Sequence, residues 1–138
     1  MLRVSLRALL IAFSAEVIAD MIIQSVVFQF FARGMLSDGM SQDDFDHVLR
    51  SVLDTTDYVP WMMLFGTATT IGGAYLAARM AKRIPYYHGL AMGILGILFI
   101  AIFWGDNPGW SDYLGVLLTI PASLYGAYLA KKRLDAAT

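Results

Sequence analysis

Four long apolar stretches dominate this chain, each separated from the next by a cluster of charged or turn-forming residues. Each approaches the roughly 20 residues that a helix needs to cross a hydrocarbon core about 30 Å thick. Backbone inside a bilayer must pair its own polar groups, which restricts spanning segments to helices and closed barrels. Stretches of this length fit helices. Spans are expected at about 8–32, 59–80, 88–104 and 111–130. The expected fold is therefore an all-α integral membrane protein, a four-helix transmembrane bundle in a single membrane domain over 1–138. Composition agrees: 58% of residues are hydrophobic and 15% charged, against about 25% charged in an ordinary soluble domain.

The first stretch follows Arg3 and Arg7, as a secretory signal would, but it is long, lacks a small-residue cleavage pattern and carries Glu16 and Asp20. It reads as a retained span. After Arg33 and Gly34 comes the one extended polar segment, in which Ser41 followed by Asp43 and Asp44 marks a helix start with acids at the positive end of the dipole. From there Phe45, Val48, Leu49, Val52 and Leu53 recur at helical spacing. An amphipathic helix is expected at about 41–53, lying on the outer membrane surface or capping the bundle. Pro60 suits the first turn of the second span, Pro85 breaks the chain before the third, and Gly105, Asp106, Asn107, Pro108 and Gly109 make a turn before the fourth. Pro121 sits inside the fourth span, where a kink is expected.

Basic residues set the orientation. Arg3, Arg7, Arg79, Lys82, Arg83, Lys131, Lys132 and Arg133 fall on one side, and Arg33 and Arg50 on the other. The positive-inside rule then puts both termini in the cytoplasm, and the expected location is a bacterial inner (cytoplasmic) membrane. Aromatic residues agree, with Tyr58, Trp61, Trp104, Trp110 and Tyr113 at the outer boundary and Tyr86 and Tyr87 at the inner one. A repeat is also present: Gly-Ala-Tyr-Leu-Ala at 73–77 returns at 126–130, with Thr70 matched by Ser123 and Arg79 by Lys132. The chain thus reads as two helical hairpins related by an axis along the membrane normal.

The residues most able to carry chemistry are Glu16, Asp20 and Gln24, which fall on one face of the first span at successive turns. An ionised side chain at mid-bilayer costs about 2.5–3.5 kcal/mol even on lenient insertion scales, so this stripe must face protein or water. Two carboxyls one turn apart also repel, and one of them is expected to hold a proton. Two uses follow. The stripe is an ion or proton site, or it is a structural clamp in which Glu16 pairs with Arg79 and Asp20 bonds to hydroxyls among Thr67, Thr69 and Thr70. Arg79, Arg83 and His88 form a third candidate, a contact for a lipid or quinone headgroup at the inner boundary. Small residues spaced for close helix contact occur at Thr69, Gly73 and Ala77, at Gly89 and Gly93, and at Ala122, Gly126 and Ala130.

Other chemistry has little foothold. The chain has no cysteine, and its two histidines are too few for a histidine metal cluster. Asp43, Asp44, Asp46 and His47 diverge around a helix and read as a solvated face, so no metal and no cofactor is expected. Neither a nucleophile elbow, a phosphate loop nor a dinucleotide fingerprint is found, and enzyme activity is not expected. A net charge of −1 gives no reason to propose nucleic acid as a partner.

The run from Gly72 through Arg79 to Arg83, followed by His88-Gly-Leu-Ala-Met-Gly93, resembles small uncharacterised four-span bacterial inner-membrane proteins, a resemblance that implies no function. The same run is similar to the loop between spans two and three of major facilitator transporters, but Ala78 stands where that motif has its acid. Two functional expectations follow from the sequence. One is a small accessory or scaffold subunit that packs with itself, as a homo-oligomer, or with a membrane partner. The other is a proton- or cation-linked transporter or channel that uses Glu16 and Asp20.

Overall fold

The computed structural model describes residues 4–53, 55, 57–102 and 109–137. Among the described residues it is all-helical, with five helices: α1 (Leu6–Phe31), α2 (Gln42–Leu53), α3 (Tyr58–Ala81), α4 (Pro85–Ile102) and α5 (Trp110–Asp135). Arg3, Asp54, Trp104 and the turn residues 105–108 lie outside the described residues. By length and composition, α4 and α5 are long and apolar enough to cross a membrane.

Local chemistry sets the helix ends. Ser5 caps α1, its hydroxyl accepting from the Ala8 amide at 3.3 Å. Ser41 and Asp44 cap α2 reciprocally: the Asp44 amide donates to the Ser41 hydroxyl at 3.2 Å, and that hydroxyl donates to the Asp44 carboxylate at 2.6 Å. At the start of α5 the Asp112 carboxylate accepts from the Gly109 amide at 2.7 Å. At the end of α3 the chain turns through Lys82 at φ 57° and Ile84 at φ 44°, a region that β-branched residues seldom occupy. Pro85 then starts α4. Helix α5 continues through Pro121 as one element, although proline cannot donate to the carbonyl one turn earlier.

The helices pack through small residues. Gly126 of α5 lies against the Ile71 carbonyl, the Tyr75 amide and Ala74 of α3, so a methyl group there would overlap backbone. Ala78 of α3 clusters with Ala127 and Ala130 further along, so α3 and α5 run in the same direction. Helix α4 runs opposite to α5: a methyl group on Gly89 would fall 2.6 Å from the Ala127 Cβ, and one on Gly93 2.5 Å from the Ser123 hydroxyl. Helix α1 lies along α3, joined by Ala12, Ala74 and Ala77 and by Met92 of α4. Helix α2 closes one end, with Val48 and Val52 buried against Val27, Ala32 and Tyr58.

The distribution of side-chain size is inverted relative to a soluble bundle. Buried positions are mostly alanine and glycine, whereas Ile18, Met21, Ile22, Phe30, Leu98, Ile102 and Leu117 are all more than half exposed. Contiguous apolar exteriors of this kind are rare on soluble monomers.

Candidate functional site

The seam between α1 and α3 gathers the polar residues. Helix α1 presents Glu16, Asp20 and Gln24 at successive turns, and α3 presents Gly66, Thr69, Thr70 and Gly73. Because the two helices run in opposite directions, Asp20 meets Gly66 and Thr69, and Glu16 meets Thr70 and Gly73. The glycines leave room for the acids: Asp20 Oδ1 lies 4.0 Å from where a Gly66 Cβ would stand, and the Glu16 carboxyl occupies the space beside Gly73. A cleft of about 160 Å³ opens at this level, lined by Ala15, Glu16, Ala19, Thr69, Gly72, Gly73 and Leu76.

Hydrogen bonds tie the seam. The Thr69 hydroxyl is 2.8 Å from the Gly66 carbonyl and 3.2 Å from Asp20 Oδ1. The Gln24 amide stands 2.6 Å from Asp20 Oδ2. Thr70 stands beside the Glu16 carboxyl. Glu16 and Asp20 are half-buried and Gln24 is exposed. Chemically, the arrangement can hold a proton or bind α1 to α3.

Arg79 is exposed and turns elsewhere. Its Nη1 stands 3.4 Å from the Tyr75 hydroxyl, and the guanidinium lies 5.9 Å from the Tyr75 ring centroid, within cation–π range. Glu16 packs opposite Gly73, about one and a half turns from Arg79 along α3. Among the described residues the ion pair present is Lys131 with Asp135, at 2.8 Å.

Arg79 and Arg83 are exposed, but His88, which a sequence reading places at an interface, is only 1% exposed. Its ring joins three segments. Nε2 accepts from the Ser5 backbone amide at 2.9 Å, and Nδ1 stands 3.2 Å from the Ile84 carbonyl. An amide donor at Nε2 requires a lone pair there, so Nδ1 carries the hydrogen and donates it to Ile84. His88 is thereby a neutral bracket holding the start of α1 and the positive-φ turn onto α4.

Among the described residues, no three histidine, cysteine or acidic side chains gather as a metal site would need. Sequence reasoning missed the His88–Ser5 bracket, for which a lone histidine gives no signal. It also missed the seating of Glu16 on Gly73, whose available signal was Gly66 and Gly73 standing about two turns apart on one face of α3. No family model, curated protein or solved structure matches the chain.

Proposed function

We propose that the chain is a noncatalytic integral membrane protein of four spans, formed by α1, α3, α4 and α5, that serves as a small accessory or scaffold subunit in a bacterial cytoplasmic membrane. Its partners are the lipid bilayer and a second copy of itself or another membrane protein. Two features support the membrane reading: the apolar exterior over a core of small residues, and helix lengths of 26 and 24 residues for α1 and α3, about 39 and 36 Å. The asymmetry of basic residues supports cytoplasmic termini.

The observation that carries the accessory reading is that the acids of α1 engage a neighbouring helix of the same chain, Asp20 by its hydrogen bond from Thr69 and Glu16 by its seat against Gly73. Polar residues used this way fasten helices together. The competing transport reading uses the same acids as a pathway. Reconstituted protein tests the two: proton or cation flux at the level of protein-free vesicles, unchanged by Asp20→Asn or Glu16→Gln, is expected. Flux that falls with either substitution would overturn the accessory reading. Alkaline carbonate extraction tests the membrane reading separately, with the chain expected to stay in the pellet.

A further inference from the structure

Two glycines fold back the polar segment between α1 and α2. Gly34 and Gly39 take φ of 84° and 76°, a left-handed backbone that favours glycine, and each stands immediately before a methionine. Met35 and Met40 come to one side of α2, where Asp44 and His47, three residues apart, share a face. With Ser37 and Val48, these side chains line a cleft of about 300 Å³. One wall is fixed, because Val48 is buried and Met40 packs into the same apolar cluster. Met35, Asp44 and His47 remain exposed. The Ser41 hydroxyl and amide both engage Asp44 Oδ2, which leaves Oδ1. Ser51 engages His47 through its backbone carbonyl, at 2.9 Å, and among the described residues the ring nitrogens stay open to a ligand.

We propose that this cleft binds a soft monovalent cation of the copper(I) class, held by the Met35 and Met40 thioethers and a ring nitrogen of His47, with Asp44 supplying negative charge at the rim. A thioether is an uncharged, polarizable sulfur donor, and soft sulfur selects copper(I) over harder ions. The harder ions lack ligands here. A structural zinc site draws about four ligands from thiolate, imidazole and carboxylate, and calcium takes about six to eight oxygens. The cleft offers a single imidazole and a single carboxylate, and among the described residues no third histidine, cysteine or acidic side chain joins them. Its remaining donors are the two sulfurs. Because these come from the loop and the imidazole from α2, a bound ion ties loop to helix and stabilises the folded chain. The site stands on the polar segment, independently of whether the long helices cross a membrane. With both termini in the cytoplasm, it opens on the outer side.

Anaerobic titration of the purified full chain in detergent with copper(I), against a chromogenic copper(I) chelator, tests the site. A single equivalent is expected to bind, and zinc to bind more weakly. Loss of an outer-shell partner already costs about 10–100-fold in metal affinity, and loss of a ligand is expected to cost no less. Met35→Leu, Met40→Leu and His47→Gln should therefore each weaken binding about tenfold or more. Met80→Leu, which removes an exposed methionine of α3, should leave it unchanged. Leucine conserves the volume of methionine and Met35 is 47% exposed, so Met35→Leu is expected to fold. A second reading uses silver(I) in chloride-free buffer and protein with carbon-13-labelled methionine methyl groups. The Met35 and Met40 methyl resonances are expected to move and that of Met80 to stay. No copper(I) retained against the chelator, an affinity indifferent to Met35→Leu and Met40→Leu, or silver shifts at Met80 equal to those at Met35 would each overturn the proposal.

Discussion

Glycine 73 sits where the acid stripe of α1 touches α3, and an added methyl group would collide with the Glu16 carboxyl. Overpacking of this kind costs about 1–3 kcal/mol. Gly73→Ala is therefore expected to lower the melting temperature in detergent, while Gly72→Ala, which meets open space one residue away, leaves it unchanged. Gly126→Ala should cost more, because the methyl group would meet the backbone of α3 rather than a movable side chain. Equal effects at Gly72 and Gly73 would remove the seam from the account. Thr69→Val deletes the hydroxyl that reaches Asp20 and leaves the shape, and a loss of about 0.6 kcal/mol, the mean for hydrogen bonds between membrane helices, is expected. The sequence shows which face of α1 is polar, since Glu16, Asp20 and Gln24 recur at helical spacing. It does not show which oxygen meets which hydroxyl, because that depends on how far α1 slides along α3, and no local pattern encodes a slide.

Among the elements, the turn from α3 to α4 carries the most conformational strain. Lys82 and Ile84 both take positive φ, and the Ile84 carbonyl is held by the Tyr87 amide at 3.1 Å and the His88 ring at 3.2 Å. Lys82→Gly removes the Cβ clash at the end of α3 and is expected to stabilise the protein by about 1 kcal/mol, read as a raised unfolding temperature. His88→Ala has the opposite sign. It leaves the Ser5 amide without its partner, at about 1–3 kcal/mol for a buried group left unpaired, while the Ile84 carbonyl keeps the Tyr87 amide. Hydrogen exchange should rise at the start of α1 and in the 82–88 turn together; a rise confined to α4 would contradict the bracket. Capping was legible at this scale, as Ser41 and Asp44 show. The role of His88 was not, because its partners are backbone groups 83 residues upstream and 4 residues upstream, of which only the second is local. The repeat at 73–77 and 126–130 is informative in the same way. Thr70 and Ser123 correspond, yet Thr70 meets Glu16 of α1, two helices earlier, whereas Ser123 meets Gly89 and Gly93 of α4, the helix just before its own.

For the whole molecule, the all-helical fold was legible because apolar runs of this length have few other outcomes. The packing order was not: α3 sits at the centre, touching α1, α4 and α5, and this follows from small-residue faces that any of the long helices could have shared. The central claim is that the four long helices cross a membrane alternately, with both ends in the cytoplasm. The chain's lack of cysteine makes single-cysteine labelling the most direct test. Variants Ser37→Cys, Arg83→Cys, Gly109→Cys and Ala136→Cys would be exposed, in intact bacterial cells, to a membrane-impermeant maleimide. Labelling of Ser37→Cys and Gly109→Cys from outside, with Arg83→Cys and Ala136→Cys reacting only after lysis, is the predicted result. Labelling of Arg83→Cys in intact cells, or protection of Gly109→Cys, would contradict it.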